Sequence, residues 1–403
     1  MSAQLQVEES TAPWITWFGD DFTGSAAVME VLAFSGVPTV LFTDIPSPEL
    51  LERFKGQRAI GIASTARSKD PDWMAENLPR SFGWLNCLQS PILHYKTCST
   101  FDSSPETGSI GKAIEIGLTV RPAAAVPLIT AAPQMRRYQA FGHLFAGSFD
   151  GVFRLDRHPV MARHPVTPMD ESDLLRHLTH QTDLPSALIN LEMLWGNQQD
   201  VLRAALKSGA RILSIDSMES VSEEAAGRLL WENRKKLGFV VGSQGVEYAL
   251  VRHWIATGML ESIPPAPSAG KVDKIVAVSG SVSPTTAEQL GHAEKNGFEL
   301  LSFPATCVCG SEGDREAEIN RTISKGINSA ERGASPLIYS ARGPGDPDVE
   351  IFRHALATSG LNPREANARI GNALGRILDG ILLKTGIRRA VISGGDTSGY
   401  GMQ

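Results

Sequence analysis

Short apolar runs recur along this chain. Each is followed by a cluster of Gly, Ser, Thr or Asp and then by a segment whose apolar residues return at helical spacing. WITWF runs into GDDFTGS, AIGIA into STARS, and ILHYK into TCSTFDSS; AAAVPLIT, ARILSID and GFVVGSQG continue the series. Runs this short, bounded by turn residues, read as buried strands, and their alternation with helical segments is how parallel strands joined by crossover helices are written. VEYALVRHWIATGML reads as one such helix, ending near Gly258. The predicted fold class is α/β, with two domains, each an open, mostly parallel sheet flanked by helices. Ligands of such sheets bind beyond the carboxyl ends of the strands.

The alternation breaks at ESIPPAPSAGK (261–271), where three prolines deny the backbone both helix and ladder hydrogen bonds. A linker is expected at 263–272, between an N-terminal domain (1–262) and a C-terminal domain (273–403), with the active site in the cleft between them. Past the linker the pattern restarts with KIVAVSG, SPTTAEQLGHAEKNG, SPLIYSARGPGDP, ANARIGNALGRILDGILLKTG and RRAVISGGDTSG. Composition agrees with this division: 403 residues with 42% hydrophobic and 20% charged side chains can bury more than one core. A net charge of -6 leaves no basic surplus for a phosphate backbone, which argues against a nucleic-acid partner. No apolar run reaches the roughly 18 residues of a membrane span, and MSAQLQVEES lacks a basic-then-apolar signal pattern. A cytoplasmic protein without a membrane partner is expected; a homodimer stays open. Cys87, Cys98, Cys307 and Cys309 are too scattered for a disulfide framework or a zinc site, and His158 and His164, six apart around prolines, have no metal-binding spacing. No side-chain metal site is expected.

Four polar clusters follow the strand-like runs. Asp20 and Asp21 stand between a strand and a helix, where one can cap the helix while the other faces a ligand; both can equally be turn residues. Arg67, in STARS, offers a planar donor fork suited to a carboxylate, or a solvated loop arginine. Lys96, Ser99, Thr100, Asp102 and Ser103 place a cation, hydroxyls and a carboxylate on one turn, enough to hold the carboxylate and hydroxyls of a small polyol acid, although Ser and Thr also make ordinary turns. Past the linker, SGSVSPTT (279–286) and SGGDTSG (393–399) each lie between a strand and a helix and can offer backbone N–H groups to phosphate oxygens. Neither is a Walker A loop or a dinucleotide fingerprint.

GDDFTGS, KTCSTFDSSPETGSIG, HPVTPM, SGSVSPTT and SGGDTSG, in this order, resemble the four-carbon acid sugar kinase family over residues 14–399, and CSTFDS is similar to its 3-oxo-tetronate kinase branch. The resemblance implies an acid-sugar-binding N-terminal domain and an ATP-binding C-terminal domain. It places sugar contacts at Asp20, Asp21, Arg67, Lys96, Ser99, Thr100, Asp102 and Ser103, and ATP contacts at Ser279, Ser281, Gly394, Gly395, Asp396 and Thr397. Departures from the family pattern fall mostly in the sugar half: Ser109 in a GNIG-like turn, Ala66 before Arg67, and Met135-Arg136-Arg137 where Gly-Arg is usual. The family pattern also continues well past GGDTSG, whereas Tyr400–Gln403 end this chain, so a nucleotide domain truncated at its C-terminus is expected.

Phosphoryl transfer asks a protein to align two substrates and neutralise charge, usually with Mg²⁺ on the phosphates. Arg67 and Lys96 are expected to hold the substrate carboxylate, with Ser99, Thr100 and Ser103 on its hydroxyls. Asp20 or Asp21 is expected to accept the proton of the attacking hydroxyl, and the substrates to be a threonate, an erythronate or a 3-oxo-tetronate, with ATP and Mg²⁺. Two other readings stay open: a non-catalytic acid-sugar-binding protein, and a hydrolase or aldolase using Lys96 as an amine nucleophile.

Overall fold

The computed structural model describes residues 12–263, 268, 270–394 and 397–398, apart from 149 and 165. The chain separates into two compact units, Met1–Ala266 and Pro267–Gln403. Residues 264–267 and 269 of the expected linker, the N-terminal residues 1–11, and the last residues from 399 lie outside the described residues.

The first unit contains β1 (Ile15–Gly19), β2 (Thr39–Phe42), β3 (Ala59–Ala63), β4 (Ile92–Lys96), β5 (Val126–Ile129), β6 (Arg137–Ala140), β7 (His143–Ser148), β8 (Gly151–Arg154), β9 (Ser186–Ile189), β10 (Ile212–Ile215) and β11 (Phe239–Gly242). Eight of them form one sheet in the order β2-β3-β1-β4-β11-β5-β10-β9, every pair parallel. β6, β7 and β8 form a separate antiparallel sheet that the sequence pattern did not announce. The large sheet is covered on both faces, which is why its central strands read as unbroken apolar runs. Ile15 and Trp17 pack with Val28, Leu32, Leu250 and Trp254 on one face. Phe18, Phe82, Tyr95 and Phe239 pack on the other. A buried hydrogen-bonded pair crosses the core at β4, where His94 Nδ1 lies 2.6 Å from Glu247 Oε1 and Nε2 faces the Gly242 carbonyl at 3.1 Å.

Register brings the polar clusters together. Gly19 lies beside Ala63 and Lys96, Lys96 beside Gly242, and Gly242 beside Ile129, so five strands finish level. From β1 the chain winds to β2 and β3 on one side and then returns to β4 on the other, which places the reversal of winding at β1 and β4, where a crevice opens in such sheets.

The second unit contains β12 (Val276–Ser279), β13 (Phe298–Ser302), β14 (Ser335–Tyr339) and β15 (Ala390–Ser393), in the order β13-β14-β12-β15, again all parallel. Val276, Val278 and Ile338 pack under Leu374, Ile377 and Ile381 of the long helix Pro363–Thr385. Ser279 pairs with Ser393, so the loops after β12 and β15 emerge side by side. Among the described residues no helix is long and apolar enough to cross a membrane.

Candidate active site and phosphate loop

Asp20 and Asp21 leave the end of β1. Asp21 is extended (φ -139°, ψ 163°) and caps the helix Phe22–Phe34, its Oδ1 accepting the Gly24 N–H at 2.9 Å. Arg67 stands in the turn after β3, and its Nη1 lies 3.2 Å from Asp21 Oδ2. Lys96 ends β4, with Nζ 3.6 Å from Asp21 Oδ1. The backbone fixes the same arrangement: the Asp20 N–H donates to the Lys96 carbonyl at 3.0 Å, and the Arg67 N–H donates to the Asp20 carbonyl at 2.9 Å. Gly24 is required by this crowding, since a Cβ there would stand 1.8 Å from Lys96 Nζ. One carboxylate, Asp21, thus sits between two cations drawn from different strand ends.

Adjacent aspartates acquire opposite acidities here. Asp20 is 2% exposed and its Oδ1 has no hydrogen-bond partner. Burial pushes its pKa up to about 7 against the pull of Lys96, and the charge of Asp21 adds to the rise. Burial acts on Asp21 in the same direction, but Lys96, Arg67 and the Gly24 N–H outweigh it and hold that carboxyl below its usual range. Burial would likewise favour loss of the Arg67 proton, yet Asp21 overcomes it, so Arg67 stays a cation.

The turn after β4 closes on itself around Phe101, which is held left-handed at φ 60°. Thr100 Oγ1 donates to Asp102 Oδ1 at 2.8 Å and lies 3.1 Å from Cys98 Sγ. Burial, with Asp102 adding, pushes the Cys98 thiol up to about 11, which makes it a poor nucleophile. Asp102 also acts electrostatically on Asp20 and Arg67, so it belongs to the same cluster. Ser99 is half-buried on this turn. Ser103 is turned elsewhere: its hydroxyl donates to the Phe101 carbonyl, accepts from Gln181 Nε2 at 2.9 Å and meets His177 Nε2 at 3.0 Å. These contacts tie the Ser103 hydroxyl to the helix Leu174–Leu178 and to Gln181 beyond it.

Arg137 joins the cluster without having been singled out for a role in the sequence. Its Nε is buried without a partner, while Nη1 donates to the carbonyls of Met135 and Gly147 at 3.1 and 3.3 Å. Burial lowers its pKa, and the charges of Cys98 and Asp102 act on it in the opposite sense. The available signal is the arginine pair at the turn, where Arg136 takes the left-handed conformation (φ 57°, ψ 42°) that closes the turn before β6.

The second unit offers a site of another kind. Ser281 follows β12, and its Oγ accepts from Thr286 Oγ1 at 2.8 Å; Ser283 caps the helix Pro284–Glu294. Gly394 follows β15 at φ 113°, and a Cβ there would lie 3.0 Å from Thr397 Oγ1 and 3.3 Å from the Ser281 nitrogen. At Gly280 a Cβ would come within 2.1 Å of the same hydroxyl. Two glycines therefore leave the room in which Thr397 sits, and Ser279 Oγ is buried nearby without a partner. Ser279, Ser281, Gly394 and Thr397 are brought together; Gly395 and Asp396 lie outside the described residues. A cavity of about 210 Å³ opens beside this cradle, lined by Gly280, Ser340, Phe352, Asn367, Ile370 and Thr397, of which only Thr397 was expected as a contact.

Comparison with known proteins follows the same division. Residues 15–250 match the sugar-binding N-terminal domain family and residues 276–403 the nucleotide-binding C-terminal domain family. The 3-oxo-isoapionate kinase of Paraburkholderia graminis is 43% identical over 389 residues, covering 96% of this chain and 82% of that protein. The 3-oxo-tetronate kinase of Methylobacterium radiotolerans is 26% identical over 388 residues, covering 94% and 85%. Among solved structures, a protein of Salmonella typhimurium LT2 superposes with a TM-score of 0.75 at 24% identity over 96% of this chain and 87% of its own, and so shares the fold. Haemophilus influenzae protein HI1011 does so at 0.63 and 22%, over 96% and 88%.

Proposed function

Because the chain belongs to the four-carbon acid sugar kinase family, and is therefore a phosphotransferase, we propose that it moves the terminal phosphoryl group of ATP to a hydroxyl of a 3-oxo sugar acid. An acceptor of the 3-oxo-isoapionate type is favoured over the 3-oxo-tetronate type, a preference supported by the greater identity with the relative of that name (43% against 26%). The motif wording alone favoured the tetronate branch. A 3-oxo acid is common to both.

The observation that carries the reading is the split acidity of Asp20 and Asp21. Phosphoryl transfer to an alcohol needs a carboxylate that can take the hydroxyl proton near neutral pH, and Asp20, raised to about 7 with a free oxygen, is suited to that. Asp21, held ionised, serves instead to fix Arg67 and Lys96. Arg67 has five N–H donors and Lys96 three, so both retain donors for the substrate carboxylate after meeting Asp21. Thr100, Asp102 and Ser99 face the substrate hydroxyls, and Arg137 Nε supplies a further donor. The hydroxyl oxygen bonds to the terminal phosphorus as its proton passes to Asp20, and ADP leaves. Lys96 as an amine nucleophile is disfavoured, since its Nζ is already engaged 3.6 Å from Asp21 Oδ1.

In the second unit the cradle of Gly394, Gly280 and Thr397 fits a phosphate group, with the Ser281 nitrogen and the helix after Ser283 adding positive character. Mg²⁺, carried on the phosphate oxygens, would supply charge neutralisation.

The test is acid-stimulated ADP release with 3-oxo-isoapionate and 3-oxo-tetronates as acceptors. Stimulation by one of these is expected; ATP and acid binding without turnover would instead establish the non-catalytic binder.

A further inference from the structure

The second half of the KTCSTFDSSPETGSIG block, residues 104–111, has no part in the reaction so far. It opens with a tight turn: the Ser104 N–H donates to the Thr107 carbonyl at 2.9 Å, and Ser104 Oγ accepts from the Glu106 and Thr107 N–H groups at 3.2 and 3.0 Å. Gly108 follows in the left-handed conformation, φ 61°, and its N–H donates to the Lys69 carbonyl at 2.8 Å. That bond lays the turn against the short helical turn Ala66–Ser68, which carries Arg67. The contact is close: a Cβ on Gly108 would stand 2.4 Å from the Arg67 carbonyl oxygen and 3.2 Å from its Cα.

We propose that Gly108 is a positioning residue for Arg67: lacking a side chain, it lets residues 104–108 back the arginine turn, and so sets where the guanidinium stands. The inference rests on the acid-sugar reading only for what Arg67 then does to a substrate. The arginine turn is held on two sides, since the Arg67 N–H donates to the Asp20 carbonyl at 2.9 Å while the Lys69 carbonyl takes the Gly108 N–H. Behind Gly108 the chain is braced. Ser109 caps the helix Ile110–Val120 through the Lys112 N–H at 3.2 Å, and the Gly111 N–H donates to Gln181 Oε1 at 3.2 Å. Gly111 is itself pressed on residue 181, where a Cβ would come within 2.6 Å of the Gln181 carbonyl oxygen. A side chain at 108 therefore pushes on the Arg67 peptide, and the guanidinium, 3.2 Å from Asp21, moves with it.

The competing explanation is that Gly108 serves the left-handed bend alone. Asparagine separates the two, because it adopts that bend more easily than other side chains and yet carries the Cβ. Asp20 reports on the outcome. Burial raises its pKa first of all, Lys96 and Arg67 pull it down, Asp21 and Asp102 push it up, and Tyr95 on β4 feels its charge. Drawing Arg67 away lets Asp20 titrate higher.

The test follows the Asp20 carboxyl by ¹³C NMR in the free protein, labelled at aspartate and assigned with Asp20→Asn. In Gly108→Asn the midpoint is expected to rise by about 0.5 pH units, a fraction of what an opposite charge at close range commands. KM for the acid should rise about tenfold, with kcat at about pH 9 within about twofold, as when a carboxylate contact is misplaced and the base is not. Gly56→Ala, at φ 92° with nothing within 4 Å of the added Cβ, carries the backbone strain without the contact and should change neither. Should Gly108→Asn lose its thermal transition, Gln181→Ala, which removes the brace without adding bulk at 108, must raise the midpoint by itself. An unchanged midpoint in Gly108→Asn, or an equal rise in Gly56→Ala, would overturn the proposal. A raised midpoint with no acid-stimulated turnover in the unaltered chain would overturn the acid-sugar reading and leave the placement of Arg67 standing.

Discussion

The two units solve recognition in opposite ways. In the first, the site consists of charged side chains in contact: Asp21 between Arg67 and Lys96, with Asp20 and Asp102 close enough to influence Arg67. In the second, the loops after β12 and β15 offer glycines, hydroxyls and backbone nitrogens. On the function proposed above, the difference follows from the ligands. A small polyol acid presents its carboxylate and hydroxyls in a definite geometry that long side chains must match, whereas a phosphate accepts hydrogen bonds from any direction and is met best by backbone that can approach closely. The first kind of site depends on mutual electrostatics and the second on the absence of Cβ atoms, so they should fail differently.

The sharpest way to break this comparison is Asp20→Asn, expected to lower kcat about a thousandfold, within the usual range for a general base, while leaving nucleotide affinity unchanged in calorimetry. Arg67→Met should raise KM for the acid about a hundredfold, the scale of one lost charge-assisted pair, again without moving nucleotide affinity. Gly394→Ala should do the reverse: nucleotide Kd rises about tenfold, from strain at φ 113° and a Cβ pressed on Thr397, and acid binding is untouched. A loss of acid binding in this variant would show that the two sites are not separable.

The pH profile sharpens the assignment of the base. With Asp20 raised to about 7, kcat/KM should climb with pH and level off above that value, and Asp21→Asn should shift the midpoint downward by removing a neighbouring negative charge. The smallest effect is on stability. Because the folded pKa of Asp20 lies above the 3.8 of a free aspartate, its contribution is fully present below that value and is lost as pH rises through about 7. The melting temperature of Asp20→Asn relative to the unaltered chain should therefore be higher at pH 8 than at pH 5.

Much of this was legible in the sequence, because a strand buried on both faces must be apolar throughout and a polar cluster directly after it stands out. WITWF-GDD, AIGIA-STARS and ILHYK-TCST each gave both a strand and the polar turn at its end. What escaped depends on distant partners. The hydroxyl of Ser103 meets His177 and Gln181, more than 70 residues away, which its local setting beside Asp102 does not reveal. The opposite acidities of Asp20 and Asp21 depend on burial and on Lys96 and Arg67, which arrive from other strands. The antiparallel sheet of β6 to β8 is half-buried and mixed in polarity, with no clean alternation to reveal it. The helix Glu312–Glu331 is mostly polar, and it is held by a narrow stripe including Ile319 and Ile323 against the second core.

The strand order of the large sheet also governs how the protein is made. β11 lies between β4 and β5 yet is the last of its strands in sequence. A ribosome that has released β4 and β5 must add over a hundred further residues before the strand that joins them exists, a delay on the order of ten seconds. Until then the edges of β4 and β5 have no neighbour, and Leu93 and Leu128, which end up against the same core, have nothing to cover them. The first unit must therefore complete its fold after synthesis of its whole length, and its yield in a cell should respond to chaperones and to translation speed more than its final stability would suggest.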